Sequence, residues 1–576
     1  MNTQTTLASN GLPWWKEAIV YQIYPSSFKD SNGDGMGDIA GITSKLDYLK
    51  SLGVDVIWVC PFYDSPQHDM GYDISDYQAV YPPYGTVADV EECIQECHKR
   101  GIRFVQDLVI NHSSSEHRYF KESRSSKTNP KRDWYIWRPA KYVDGKRCPP
   151  NNWKAHFGGS VWEWDELTEE YYLHYFCVEQ PDFNWENPEV REALYNEAIR
   201  FWLDKGCDGF RIDTVNMYSK HLDFPDAEVQ HEGEEFVLAK DYYSNGPRLH
   251  EYLREMNEQV FSKYDCFTVG ECPAVESVEQ IISFVGASQR KLDTVFEFAL
   301  CSIDASEPPF HKMPKSWKLS ELKKIVARSQ SFIDGTDGWI TNFLENHDQA
   351  RAVTRYGSDA PEFRTVSAKM LAVFQMALSG TNFIHQGGEI GMYNAPRSWP
   401  IEEYKDVDSI NFYAEEKASS RFQRDPKHMD RVLDALRHTS RDHGRLPMQW
   451  DDSPNAGFTT GKPWMRVHDD YETLNAKQQE ADPSSVLSFY KAILKLRKQF
   501  KSLALGTYKE YEADDENVMV FSKTYDGERT LIVLNWTKEK QNFTFPEGFD
   551  KRQLIISNVE GEQDALQPYE ARIYVC

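Results

Sequence analysis

Gly209-Phe210-Arg211-Ile212-Asp213 reads as a short buried strand that presents a guanidinium and a carboxylate at its tip. A cation two residues away favours the ionised form of an acid, so Asp213 is expected to stay anionic at neutral pH, as a nucleophile must. Taken alone, the pentapeptide fits a structural Arg–Asp cap better than a reaction centre. Its company along the chain reverses that reading. Ile19–Tyr24, Val56–Cys60, Phe104–Ile110, Phe267–Glu271, Val295–Leu300, Ile340–Glu345 and Asn382–His385 are further apolar runs of strand length. Helix-like segments such as Val87–Arg100 and Pro188–Lys205 lie between them. Apolar strands alternating with helices imply a parallel sheet buried on both faces, and eight such units suggest a closed (β/α)8 barrel. The active site of such a barrel lies at the C-terminal ends of its strands.

The barrel is expected to occupy residues 1–112 and 176–505. Residues 113–175, rich in Trp, Tyr and Pro, are too long for a simple loop and read as an inserted subdomain walling one side of the site. From about residue 506 to 576 the texture changes to alternating strands: Val518–Thr524, Thr530–Trp536, Gln541–Phe545, Gln553–Ser557 and Ala571–Val575. These predict a small antiparallel β domain. The α/β class with these additions is the expected fold.

Composition narrows the partners. The 576 residues carry a formal net charge of −25, which disfavours phosphate backbones and anionic lipid. Aromatic residues make up 14% of the chain, more than a core needs, and flat faces suit sugars. A neutral substrate is therefore expected, with no nucleic acid and no membrane. No run of roughly 18 apolar residues is present and residues 1–10 lack a signal-like pattern, so a cytoplasmic location is the expectation. A monomer is the expected state, without a sequence feature that fixes it. The ten cysteines show no zinc or disulfide spacing, which agrees with free thiols in a reducing compartment.

The loop Asp30-Ser-Asn32-Gly-Asp34-Gly-Met36-Gly-Asp38 offers oxygen donors at nearly every second position. That suits a hard cation, Ca²⁺ or Mg²⁺, in a structural role; a polar turn closed by Asx hydrogen bonds fits the same residues. Gly41 at the twelfth position excludes an EF-hand.

Acids and imidazoles recur at the other strand ends: Asp107-Leu-Val-Ile-Asn111-His112, Val269-Gly-Glu271, Glu345-Asn-His347-Asp348, and Asp69-Met-Gly-Tyr72 after the second strand. Three carboxylates, two His and an Arg without metal spacing point to acid–base chemistry on a neutral polyol. Cleaving a glycosidic bond needs one acid to protonate the leaving oxygen and one carboxylate beneath the anomeric carbon. Neighbouring carboxylates should raise the pKa of Glu271, as a general acid requires, while Asp213 beside Arg211 stays charged. Asp348 is then the third acid, holding sugar hydroxyls, and His112 and His347 are neutral donors to the same sugar.

These segments together resemble the signature regions of glycoside hydrolase family 13, the α-amylase family. Gln180-Pro-Asp-Phe-Asn184 resembles the marker of its oligo-1,6-glucosidase subfamily, with Phe where Leu is usual. Trp14-Trp-Lys-Glu-Ala-Ile-Val-Tyr-Gln-Ile-Tyr-Pro, Arg445-Leu-Pro-Met-Gln-Trp450 and Asn455-Ala-Gly-Phe458 match it too, and the similarity to fungal maltases and isomaltases runs from Trp14 to Val575. The resemblance implies Asp213 as nucleophile, Glu271 as acid/base and Asp348 as transition-state stabiliser. It implies that Asp69, Tyr72, His112, Arg211 and His347 line the pocket for the terminal glucose, which Phe176 and Gln180 close. An Arg near the eighth strand, Arg441 or else Arg445, pairs with Asp69 and turns the cleft into a pocket. It also implies small oligosaccharide substrates, Ca²⁺ or Mg²⁺ on Asp30, Asn32, Asp34, Asp38 and the Met36 carbonyl, and no organic cofactor.

The expected activity is exo-acting hydrolysis with retention through a covalent glucosyl-enzyme, which predicts the Asp213 and Glu271 carboxyls roughly 5–5.5 Å apart. Thr214, after the nucleophile, is the residue found in maltase-like relatives where isomaltase-like ones carry Val. Maltose, sucrose and short α-glucosides are therefore expected to outrank isomaltose, although Val215 and Asn216 depart from the usual Ala-Gly. The alternatives are an isomaltase or a sucrose isomerase of the same subfamily. A non-catalytic scaffold resembling transporter heavy chains is disfavoured, because all three acids are present.

Overall fold

The structure is a computed structural model that describes residues 6–8, 11–229, 234–273, 275, 277–306, 313–419, 425, 427–560 and 565–576. Eight strands form one parallel sheet: β1 Ile19–Ile23, β2 Val56–Val59, β3 Arg103–Leu108, β4 Gly209–Ile212, β5 Phe267–Glu271, β6 Thr294–Phe296, β7 Thr341–Asn342 and β8 Thr381–His385. Their order, β6-β5-β4-β3-β2-β1-β8-β7, is that of a barrel walked around its circumference. The two strands at the ends of that order have no ladder between them. Threonine hydroxyls span the gap instead: Thr294 Oγ1 donates to the Trp339 carbonyl at 3.0 Å and Thr341 Oγ1 to the Val295 carbonyl at 3.2 Å. β6 and β7 are thus shorter than the runs Val295–Leu300 and Ile340–Glu345 suggested.

Continuous apolar strands work here because each face has a partner. Val20, Val56, Trp58, Val105, Phe267 and Phe383 fill the barrel interior, while Ile19, Tyr21, Ile57, Phe104 and Phe210 pack outward in the larger core that includes the helices. Gly209 is required at the start of β4: its φ is +150°, and a Cβ there would lie 2.0 Å from the Phe267 carbonyl oxygen of β5. This close approach lies at the starts of the two strands whose opposite ends deliver Asp213 and Glu271.

Between β3 and β4 the chain builds a three-stranded antiparallel sheet from Trp137–Arg138, Trp162–Asp165 and Glu170–Leu173. Its core of Trp153, Trp162, Leu173 and Tyr175 is shared with Met217, Phe224, Val237 and Tyr243 from the segment after β4. The insertion is therefore anchored onto the segment that follows β4 and Asp213.

The C-terminal sheet contains β9 Thr507–Tyr511, β10 Val518–Tyr525, β11 Glu528–Asn535, β12 Gln553–Ser557 and β13 Ala571–Val575, antiparallel in the order β9-β10-β11-β13-β12. The expected strand Gln541–Phe545 is not one of them. Gln541 makes a single bridge to Leu566, after which Phe543 and Phe545 pack on the small core instead of forming a ladder. Its place as a fifth strand is taken by β9, too polar to be recognised, which pairs with β10 along the edge. Among the described residues no helix is long and apolar enough to cross a membrane.

Candidate active site

At the C-terminal mouth of the barrel lies a cavity of about 430 Å³, within the range of small-ligand sites. Of the residues singled out from sequence, Asp69, Tyr72, His112, Phe176, Asp213, Thr214, Glu271, Asp348 and Arg441 line it. Arg211, His347 and Gln180 do not; they stand fully buried behind its wall. Glu271 is the last residue of β5 and Asp213 follows β4 directly, so adjacent parallel strands deliver the two carboxyls side by side.

Arg211 organises that pair. Its Nη1 lies 2.6 Å from Asp213 Oδ1 and 2.8 Å from Asp107 Oδ1, and its Nη2 lies 2.9 Å from Glu271 Oε1. Thr214 spans the same two acids: its Oγ1 donates to Asp213 Oδ2 at 3.1 Å and its amide donates to Glu271 Oε2 at 3.0 Å. Asp107 is pinned by Trp58 Nε1 and by the Tyr72 hydroxyl, each at 3.2 Å.

The electrostatics correct one expectation and refine another. Burial pushes Asp213 up to about 6, and the Arg211 guanidinium only moderates that rise. The acid is still the more readily ionised of the pair. Glu271 is pushed up to about 7, first by burial and opposed by Arg211, with the charges of Asp213 and Asp348 adding to the rise. Desolvation, not the crowding of carboxylates, is the leading cause.

Asp348 lies opposite. Burial alone would raise its pKa, but His347, Arg441, Arg445 and Arg211 together hold it well below the usual carboxylate range. His347 itself is lowered by burial to about 3, so at neutral pH the guanidiniums are the cations that count. Arg441 Nη1 and Arg445 Nη2 reach Asp348 Oδ1 at 3.0 and 2.8 Å. Gln22 Nε2 donates to His347 Nδ1 at 2.8 Å, which leaves the imidazole proton on Nε2, 3.1 Å from Asp348 Oδ2. His347 is therefore a support for Asp348 and Tyr72, whose ring stacks on it, and not a donor at the cavity surface.

Of the two arginines, Arg441 is the one beside Asp69, with its Nη2 3.6 Å from Asp69 Oδ1. Asp69 Oδ2 accepts from Gln180 Nε2 at 3.1 Å, whereas among the described residues Oδ1 has no hydrogen-bond donor. A buried acceptor without a donor is costly, and here it faces a cavity where a sugar hydroxyl could donate. His112 Nε2 lies 3.0 Å from the Tyr72 carbonyl, and burial lowers its pKa, so it too is neutral. Phe176 packs against His112 and Phe157 with ring centroids 5.1 and 6.0 Å apart.

Sequence reasoning missed several members of this surface. Asp406 balances Arg441 and Arg445, lying 3.3 Å from Arg445 Nη1, and no motif marks it. Phe157 and Tyr175 come from the insertion, and Met217 and Tyr243 from the segment that shares its core. Asp304 and Arg355 pair across the outer wall, Arg355 Nε to Asp304 Oδ2 at 3.1 Å. The aromatic-rich insertion was the signal available for Phe157 and Tyr175, and no motif marked the others.

The metal-like loop follows β1. Asp30 Oδ1 accepts from the amides of Asn32 and Gly33 at 2.9 and 2.7 Å, and Asp30 Oδ2 from Gly35 at 2.9 Å. Asn32 Oδ1, Asp34 Oδ1 and Asp38 Oδ2 accept from the amides of Asp34, Met36 and Ser31 at 2.9, 2.8 and 2.9 Å. Asn32 Oδ1 and Asp34 Oδ1 each accept one such bond and keep a lone pair for a hard cation, whereas Asp30 Oδ1 already accepts two and Asp30 Oδ2 and Asp38 Oδ2 also accept from the Thr459 and Ser31 hydroxyls. Among the described residues, no three His, Cys, Asp or Glu side chains are already gathered as a metal cluster.

The sequence model of the family described as "Alpha amylase, catalytic domain" matches residues 22–506. The chain is 50% identical over 567 residues to an alpha-glucosidase of Candida albicans, covering 98% of this chain and 99% of that protein. It is 48% identical over 569 residues to an oligo-1,6-glucosidase of Parageobacillus thermoglucosidasius, covering 97% and 98%. Among solved structures, the trehalulose synthase MutB from Pseudomonas mesoacidophila MX-45 superposes with a TM-score of 0.90 at 42% identity, covering 98% of this chain and 100% of that one.

Proposed function

The chain belongs to the alpha-amylase family, and on that premise we propose that it is a retaining, exo-acting α-glucosidase that releases terminal glucose from short α-glucosides. The observation that carries the reading is the pair Asp213 and Glu271, held on the two terminal nitrogens of one guanidinium and facing one cavity. Asp213 attacks the anomeric carbon while Glu271 gives its proton to the leaving oxygen; Glu271 then takes a proton from water, which releases the sugar from Asp213. Asp348 holds the sugar hydroxyls, and Asp69 with Arg441 closes the far end so that a single terminal residue fits. Proton NMR of p-nitrophenyl α-glucoside hydrolysis, in which a single glucose is formed, tests this: α-glucose should appear first, and β-glucose as the first-formed anomer would exclude the double displacement.

Similarity to a trehalulose synthase raises a second reading, transfer of glucose back to fructose. Incubation with sucrose separates them. Free glucose and fructose are expected, and isomaltulose or trehalulose as main product would favour the isomerase.

For linkage, relatives with either name are nearly equally similar, so overall identity does not choose. Thr214 favours α-1,4 bonds. Maltose should be turned over with a kcat/KM about 10-fold or more above that of isomaltose, the scale of a single pocket contact. Equal or better use of isomaltose would remove this assignment.

A structural Ca²⁺ or Mg²⁺ on Asp30, Asn32, Asp34, Asp38 and the Met36 carbonyl is part of the same proposal. The loop is tied to the 458–462 segment through Asp30 N and the Phe458 carbonyl at 3.1 Å, so a cation there would stabilise the fold from outside the lining of the cavity. At 100 times its Kd a bound ion adds about 2.7 kcal/mol. EDTA should lower Tm without changing kcat/KM of the folded enzyme; an identical Tm in EDTA, Ca²⁺ and Mg²⁺ would rule the site out.

A further inference from the structure

We propose that Thr214 is a positioning residue for both reacting carboxyls, its hydroxyl favouring ionised Asp213 and its amide fixing the orientation of Glu271; the inference rests on the glucosidase reading above. The backbone at Thr214 is left-handed, with φ +39° and ψ +42°. A β-branched residue rarely adopts that conformation, and such backbone persists only where its surroundings impose it. Here the surroundings are visible. Met217 N donates to the Thr214 carbonyl at 2.9 Å, and the residue is buried between β4 and β5.

The turn has a geometric consequence. It aims the Thr214 amide back toward β5, where it meets Glu271 Oε2 at 3.0 Å, and directs Oγ1 onto Asp213 Oδ2 at 3.1 Å. Asp213 Oδ1 is already taken by Arg211. Among the described residues, the Thr214 hydroxyl supplies the hydrogen bond that Oδ2 receives. A hydroxyl so engaged is spent on the nucleophile and is not a free contact for the leaving sugar.

The other groups facing Asp213 are Arg211 on its own strand, Asp107 on β3, Glu271 on β5 and Tyr218 in the turn that follows. Asp348, after β7, faces Glu271. None of these changes when Thr214 becomes Val, which keeps the branched shape and loses only the donor.

The test is the pH dependence of kcat/KM with p-nitrophenyl α-glucoside for the native enzyme, Thr214→Val and Thr214→Ser. In Thr214→Val the acidic limb should rise by about one pH unit, the scale of a hydrogen bond to a charged acceptor. The basic limb should stay in place, because the amide is still present. Thr214→Ser should restore the native acidic limb. An acidic limb that coincides with the native one in Thr214→Val, or two limbs that move together, would overturn the proposal; Thr214→Ala serves if the Val protein does not fold. An unmoved limb in an active enzyme would leave the glucosidase assignment standing, whereas no glucose release by the native protein would remove that assignment itself.

Discussion

Asp213→Asn should lower kcat for maltose on the order of 10⁴-fold or more, about 5.4 kcal/mol of barrier, while leaving the fold intact. The amide has the volume of the acid but no electron pair to give to the anomeric carbon and no charge to set against a developing oxocarbenium ion. It also leaves Arg211 bound to Asp107 and Glu271, so the guanidinium keeps two of its three carboxylate partners. Stability should move the other way. Asp213 in the folded protein titrates at about 6, well above an unfolded Asp near 3.9, so its ionised form costs stability at neutral pH. The Asn variant should melt at the native temperature or above it at pH 7. Activity within about tenfold of the native enzyme would show that another group attacks the sugar.

Glu271→Gln should cost about 10²- to 10⁴-fold in kcat on maltose, the usual contribution of a general acid. The loss should shrink with an aryl glucoside whose leaving group needs no proton in the first step. The pH profile supplies an independent check. With Asp213 required as the anion and Glu271 as the acid, kcat/KM should peak between about 6 and 7, as apparent values of a coupled pair. Glu271→Gln should remove the basic limb, since the proton lost as pH rises through about 7 is the one on Glu271. The sign for stability follows from the same shift. The folded pKa of about 7 exceeds the unfolded one near 4.3, so between those values the unfolded chain releases a proton that the folded chain keeps. Native stability therefore falls across that window, and the Gln variant should gain Tm over the native enzyme as pH rises from about 4.3 to 7. A basic limb unchanged by the substitution would assign the proton to another group.

Both variants would then trade function for stability, because two buried carboxyls are held against their preference for water. That cost is written into the architecture. β4 and β5 approach so closely at their starts that only glycine fits at position 209, and at their opposite ends Arg211 and Thr214 each reach both acids.

The primary structure by itself determined the barrel, because period and burial are local properties. Each apolar run of strand length between amphipathic helices has one way to bury both faces, and the acids at the run ends then share a rim. It also marked Asp69, Tyr72, His112, Asp213, Glu271 and Asp348, whose spacing from strand ends is fixed by the chain. Folding in three dimensions alone decided what surrounds them. Asp406 reaches Arg441 and Arg445 only because the segment after β8 doubles back, and His347 turned out to support Asp348 from behind the wall. The pKa order of Asp213 and Glu271 likewise depends on burial, a property of the assembled cavity. A neighbour two residues away can be read from a sequence; the loss of water around a carboxylate cannot, since residues from distant parts of the chain exclude it.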